Sequence, residues 1–331
     1  MKKTVSSRPL IIVTGGAGFI GSCLVSALNQ RGEDQILIVD SLGESEKWKN
    51  LLGKAYVDYL DKQSFLEKIK AGDFSEFSVK AVFHLGACSR TTEKNADYLM
   101  ANNTHYTRDL ASFCMERKIP FLYASSAATY GQGETGYLDD EASLFSLRPS
   151  NMYGYSKHLF DLWALKQGWF KKITGFKFFN VFGPNEDHKT GMTSIVYNAY
   201  HQILQTGELK LFKSDRKEYA DGEQKRDFVY VKDVVNVLLW FFDHPEHTGL
   251  YNLGYGRATS WNTIAGHIFE AMGLSPRIRY IDMPDILKGK YQYYTCSDMK
   301  KLKSVCPMEF TPLKESVKDY VQNYLYKGAR L

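Results

Sequence analysis

The chain has 331 residues, 44% of them hydrophobic, with Lys+Arg 42 against Asp+Glu 37 for a net charge of +5. That length exceeds one minimal domain and predicts two lobes with a full core. The small charge excess forms no basic stripe, which excludes a nucleic-acid footprint and suits a small acidic substrate.

Five cysteines, Cys23, Cys88, Cys114, Cys296 and Cys306, are odd in number and no two stand at C-x-x-C spacing. Neither a disulfide framework nor a zinc ribbon is expected, and reduced thiols of a cytoplasmic protein are. The start, MKKT, resembles the basic head of a signal peptide, but the apolar run at 10–13 is short and breaks into glycines, so a first strand is expected there. The run at 234–242 contains Asn236 and is about half the length of a bilayer span, so no membrane anchor is expected.

In chain order, β-rich apolar runs at 10–13, 36–39, 81–84, 121–124 and 176–179 alternate with segments of helical period such as 103–115. This predicts an α/β fold with a Rossmann-type doubly wound parallel sheet. After Gly183-Pro184 the pattern loosens into a helix near 194–205, a lysine-rich stretch at 213–226 and a strand and helix through 228–242. Short Tyr-, Gly- and Pro-rich segments follow, predicting a smaller α/β C-terminal substrate lobe.

The sharpest local motif is TGGAGFIGS at 14–22, in which Gly16, Gly18 and Gly21 have G-x-G-x-x-G spacing between a strand and a helix. Glycines there allow a tight turn and the close approach of a pyrophosphate to unpaired helix N–H groups. Asp40, at the end of the second strand, stands where a carboxylate bonds the adenosine ribose. An acid there favours NAD, whereas Lys47, seven residues on, offers a cation for the 2′-phosphate of NADP; from these residues both cofactors stay open, as does a plain solvated lysine.

Of the 22 tyrosines only Tyr153 has a lysine, Lys157, four residues on, and both fall on one face of an expected helix. A phenol of ordinary pKa about 10 is a poor base, and a neighbouring ammonium favours its phenolate. Ser125-Ser126-Ala127 lies just after the fourth expected strand, where a hydroxyl reaches the ligand crevice and can hold a substrate oxygen.

Together, TGGAGFIG, Asp40, HLGA at 84–87, SSAATYG at 125–131, YGYSK at 153–157, FNVFGP at 179–184 and RDFVYVKD at 226–233 resemble the extended short-chain dehydrogenase/reductase family over essentially the whole chain. The resemblance implies a nicotinamide-dependent sugar-nucleotide enzyme with Tyr153 and Lys157 catalytic and Ser126 binding substrate. HLGACSRTTE at 84–93, FLYASSAATYG at 121–131, NMYGYSKHLFD at 151–161, HKTGM at 188–192, QKRDFVYV at 224–231 and LKGKYQ at 287–292 are similar to one branch, the ADP-glyceromanno-heptose 6-epimerases.

That branch implies NADP, held by Gly15, Gly18, Phe19, Ile20, Gly21, Asp40, Ser41, Lys47, Lys62, Leu85, Gly86, Ala87, Cys88, Ser89, Asn102, Lys157, Val181 and His188. It implies substrate roles for Asn180, Gly191, Asn198, Phe212, Lys213, Ser214, Asp215, Arg226 and Tyr291. Lys189 is implied as a second acid/base; a phosphate clamp or a solvated loop cation is the other reading of that lysine. Gly191, Asn198 and Leu85 depart from the branch pattern, which can carry serine, histidine and glutamate at those positions. Arg226 suits bidentate recognition of a diphosphate, or else a surface ion pair with Asp227. His244 and His247 lack a third ligand, and no metal is assigned.

Also implied are an ADP-heptose substrate, a role in lipopolysaccharide heptose synthesis, and a homo-oligomer with the homopentamer as its candidate form. The expected division is 1–180 plus about 228–262 for the NADP-binding Rossmann domain, and about 181–227 plus 263–331 for the sugar-nucleotide domain. A 4-epimerase or dehydratase of UDP- or dTDP-sugars is the rival enzyme, although a dehydratase needs an acidic pair where Ala127 and Ala128 stand. A non-catalytic nicotinamide-sensing protein would have no use for the intact Tyr/Lys pair.

Overall fold

The computed structural model describes residues 8–189, 191–285 and 291–331. Residues 1–4, weighed above as a leader, Thr190 of HKTGM and residues 287–290 of LKGKYQ lie outside the described residues. The strands are β1 (Leu10–Thr14), β2 (Ile36–Asp40), β3 (Asp58–Asp61), β4 (Val79–His84), β5 (Phe121–Ser126), β6 (Thr174–Phe178), β7 (Asn180–Phe182), β8 (Leu209–Phe212), β9 (Lys225–Tyr230), β10 (Gly249–Leu253), β11 (Ala258–Ser260) and β12 (Ile278–Ile281). The helices are α1 (Phe19–Gln30), α2 (Lys62–Ala71), α3 (Ala96–Leu99), α4 (Tyr106–Arg117), α5 (Met152–Lys166), α6 (Ile195–Thr206), α7 (Val231–Asp243), α8 (Trp261–Ala271), α9 (Lys300–Val305) and α10 (Leu313–Asp319).

LIIVT of β1 is buried at every position, as continuous apolar strands are when helices cover both faces of a sheet. Among the described residues a seven-stranded sheet has the order β10-β6-β5-β4-β1-β2-β3, with every pair parallel. The order reverses between β1 and β4, so the crevice for a ligand opens beyond their carboxyl ends. One apolar core, with Val25, Leu28, Phe83, Val234 and Leu238, covers one face and runs on to Ile203, Ile264 and Val317 of the later elements. The opposite face is packed by Leu110, Phe113, Phe121 and Phe160.

Three details differ from the sequence expectation. DYLD of β3 was not anticipated because its two aspartates interrupt the apolar pattern of an edge strand. The expected strand near 228 pairs with β7 and β11 in a separate small sheet, and β10 takes the seventh place in the large one. The helix expected over 103–115 begins as a wide π-type turn, Met100–His105, before α4, because Asn103 and Thr104 are drawn sideways to Cys88 and Ser156. No helix among the described residues is long and apolar enough to cross a membrane.

Candidate active site

A cleft of about 920 Å³ opens at the switch point. Its floor begins with the turn between β1 and α1. Gly15 has φ +69, and a Cβ on it would lie 2.6 Å from the Gly86 nitrogen; one on Gly21 would lie 2.1 Å from the Gly15 oxygen. No side chain caps α1 and its first turn carries no acid, so its N-terminal N–H groups are left to an external anion. Gly18, Phe19 and Ile20 line this part of the cleft. An uncapped helix and a turn closed to side chains fit a dinucleotide pyrophosphate.

Asp40 accepts from the Ala17 N–H at 3.0 Å, from the Ser41 N–H at 2.8 Å and from the Lys47 ammonium at 2.7 Å. Its carboxylate therefore holds the glycine turn and is charge-compensated by Lys47. Ser41 is turned away, donating to Asp61 at 2.9 Å, and Lys62 donates to Asn102. Neither Ser41, Lys62 nor Asn102 lines the cleft itself.

The loop after β4 forms the next wall, with Leu85, Gly86, Ala87, Cys88 and Ser89 all lining it. Gly86 N–H donates to the Thr14 hydroxyl at 3.2 Å, and Asn103 grips Cys88 through both its N–H (2.9 Å) and its carbonyl (3.0 Å). Asn103 also donates to Ser156 of α5 at 2.9 Å, so this buried amide sets the distance between the loop and the helix that carries Tyr153. Sequence reading passed over Asn103, since an asparagine inside a helical segment has no distinguishing pattern.

Asn151 caps α5 by accepting from the Gly154 N–H at 2.8 Å, and a Cβ on Gly154 would meet the Ala128 oxygen at 2.5 Å. That glycine lets the helix start press against the turn after β5, which brings Tyr153 to Ser126. The Ser126 hydroxyl accepts from the Ala128 N–H at 3.1 Å, leaving its proton for the phenol oxygen with which it is hydrogen-bonded. Burial raises the Tyr153 phenol above its ordinary value, and the bond from Ser126 opposes the rise. Lys157 is 4% exposed and donates to the Ala124 carbonyl at 2.8 Å. Burial pulls its ammonium down to about 8, while Asp161, one turn on, works against the fall.

Across the cleft lie Asn180 and Val181 of β7, His188, Lys189 and Gly191. Lys189 holds its ammonium over the Phe19 ring, 5.2 Å from the centroid; burial lowers its pKa and the nearby Glu186 opposes this. Glu186, itself buried, accepts from the Ser194 N–H (2.5 Å) and hydroxyl (2.6 Å), anchoring the loop to the start of α6. His188 is brought down to about 4 by burial and by the neighbouring Lys189 and Lys47.

Beyond the cleft the other candidate residues divide. Arg226, 8% exposed, lies 5.7 Å from the Trp261 ring and 5.2 Å from the Tyr291 ring, and Trp261 itself lines the cleft. No ion pair joins Arg226 to Asp227, whose carboxylate accepts from the N–H groups of Tyr255, Gly256 and Ser297 and from the Ser297 hydroxyl. Phe212 meets Tyr291 edge-on at 6.3 Å, and Ser214 and Asp215 line a second, shallow depression, the Asp215 N–H donating to the Tyr293 hydroxyl at 2.8 Å. Lys213 pairs with Asp282 at 2.9 Å outside the lining of the cleft, and Asn198 folds its amide back on Thr193, which does line it. Trp261 escaped the sequence reading because a tryptophan opening a helix looks like core.

The model of the NAD dependent epimerase/dehydratase family matches residues 11–254. A protein of Nitratidesulfovibrio vulgaris (strain DP4) named ADP-L-glycero-D-manno-heptose-6-epimerase is 51% identical over 317 residues, covering 96% of this chain and 98% of that one. A Fusobacterium nucleatum protein of the same name is 46% identical over 328 residues, covering 96% and 98%. The crystal structure of the Helicobacter pylori protein so named is similar with a TM-score of 0.78 at 27% identity, covering 96% of each chain.

Proposed function

The chain belongs to the NAD dependent epimerase/dehydratase family, and on that premise we propose that it inverts C6″ of ADP-D-glycero-D-manno-heptose to give the ADP-L-glycero-D-manno epimer, for the heptose of lipopolysaccharide. Relatives 44% and 51% identical over nearly its full length carry the name of that reaction. The observation that carries the mechanism is the presence of two proton-handling groups, Tyr153 and Lys189, on the lining of one cleft whose floor suits a dinucleotide.

A nicotinamide, when bound, supplies an acceptor that takes the C6″ hydride and returns it. Tyr153 takes the C6″ hydroxyl proton as that carbon is oxidised, Ser126 holds the same oxygen, and Lys157 steadies the phenolate. Inversion requires the resulting ketone to turn its other face, which carries its oxygen away from Tyr153. Lys189 serves that second position by donating a proton. Its burial lowers its pKa and makes it a better acid than an exposed lysine.

The glycine turn, Asp40, Lys47, the loop after β4, Val181 and His188 form the cofactor half in this reading, and Lys47 beside Asp40 supports NADP over NAD. Asn180, Arg226, Tyr291, Phe212, Ser214 and Asp215 form the substrate half. The large sheet with its helices is the cofactor domain, the later elements the sugar-nucleotide domain, and the protein acts in the cytoplasm as a homo-oligomer. The test is incubation with ADP-D-glycero-D-manno-heptose without added cofactor, following the C6″ configuration by NMR. Conversion abolished by Tyr153→Phe is expected; no conversion by folded protein with NADP⁺ or NAD⁺ added would overturn the reading in favour of another sugar nucleotide.

A further inference from the structure

Arg330 lies far along the chain from the motifs above, yet its guanidinium reaches residues directly behind the cleft wall formed by His188 and Lys189. It forms a fork with Asp187, 2.7 Å from one carboxylate oxygen and closer still to the other, and also donates to the side-chain oxygen of Asn50. Asp187 immediately precedes His188 and Lys189. Asn50 is fully buried in a short 3₁₀ helix, Glu46–Leu51, and its amide nitrogen is 3.1 Å from the Ala17 carbonyl, 3.1 Å from the Asn185 carbonyl and 3.2 Å from His188 Nδ1. The next residue, Leu331, donates its N–H to Asn185 at 2.9 Å, and Asn185 holds φ +73, a conformation costly to a residue other than glycine unless fixed by its surroundings.

The orientation of Asn50 follows from these contacts. An arginine only donates, so it selects the oxygen end of the amide and leaves the nitrogen end for the two carbonyls and the histidine. The His188 ring is also hydrogen-bonded to the Asn185 carbonyl, so the amide, that carbonyl and the ring form one cluster that holds the imidazole in place. Burial beside Lys189 and Lys47 keeps the ring neutral at ordinary pH.

We propose that Arg330 is a positioning residue for the dinucleotide: through Asn50 and Asp187 it holds the His188 ring in one position and ties the glycine turn to the loop bearing Lys189. This rests on the reading of the cleft as a nicotinamide dinucleotide site. Arg330→Gln removes the cation and the fork; Arg330→Lys keeps a cation for Asp187 but has no fork to reach Asn50 as well.

The experiment combines calorimetric titration of the full-length protein with NADP⁺ and NAD⁺, nitrogen NMR of ¹⁵N-histidine protein, and thermal melts. Arg330→Gln is expected to weaken dinucleotide binding about tenfold and to shift or broaden the ring-nitrogen signals of His188. Arg330→Lys is expected to recover the melting temperature but not the parent's His188 signals. A Gln variant that melts lower yet binds dinucleotide and keeps the His188 signals as the parent does would reduce Arg330 to a stabilising tie and overturn the proposal. If the parent binds no dinucleotide, the cofactor reading fails separately, and an unchanged His188 signature in the Gln variant would still overturn the proposal.

Discussion

Lys177 and Asp161 meet as an ion pair with no solvent exposure on either side chain, 3.1 Å apart between β6 and α5. Asp161 also accepts from Tyr123 at 2.8 Å and Ser125 at 2.7 Å, and Lys177 donates to Thr129 at 2.5 Å beneath the Tyr130 ring. Ser125 precedes Ser126, the candidate substrate-binding hydroxyl, and Asp161 follows Lys157 by one turn, so this network is the rigid backing of the candidate catalytic groups. Removing one partner strands a buried charge, and Lys177→Met is expected to cost about 3–5 kcal/mol of stability in urea unfolding. The double change with Asp161→Asn should cost less than the sum of the singles; additivity would mean that the pair does not act as a unit.

Tyr153 and Lys189 are expected to be separable by kinetics. Tyr153→Phe should lower kcat roughly 10²–10⁴-fold with dinucleotide binding retained, the usual range for a lost acid/base group. Lys189→Met should impair epimerisation strongly as well; a near-native rate for that variant would end the two-base mechanism.

His188 controls part of the acid stability. The native ring takes its proton only at about 4, against the ordinary 6.5 of the unfolded chain. Between those values the unfolded state binds more protons, so this residue makes the protein lose stability as pH falls from 6.5 toward 4 and adds no slope above that window. His188→Gln should unfold in urea with a shallower acid loss, by about one proton, than the parent. Identical slopes would show that the ring is not held neutral.

Lys47 sits 2.7 Å from Asp40. Without it the carboxylate would face a 2′-phosphate uncompensated, so Lys47→Met is expected to weaken NADP⁺ binding by roughly tenfold or more while leaving NAD⁺ nearly unchanged, a charge-assisted contact being worth about 1.5–3 kcal/mol. Equal losses for both dinucleotides would assign Lys47 to the fold of the turn instead.

Much of the cofactor half is legible along the chain because its determinants are local. Gly15 and Gly21 exclude a side chain on account of backbone a few residues away or in the loop after β4, and Tyr153 and Lys157 share a face through helix geometry alone. Apolar runs covered on both sides likewise announce β1, β2, β4, β5 and β6, whereas DYLD of the edge strand β3 carries no such pattern.

Contacts between distant segments were decided only by folding. Asn103 and Asn50 are ordinary asparagines until the chain brings Cys88, Ser156, Ala17 and His188 within reach of their amides. Arg226 between Trp261 and Tyr291, and Arg330 against Asp187, have no mark in spacing, because their partners lie tens of residues away or more. The same holds for Lys213, whose partner Asp282 lies 69 residues further along the chain. Periodicity and motif spacing report what a residue's near neighbours require of it; which polar atoms satisfy one another across the core is settled by the packing of whole elements, and there the tertiary structure alone decides.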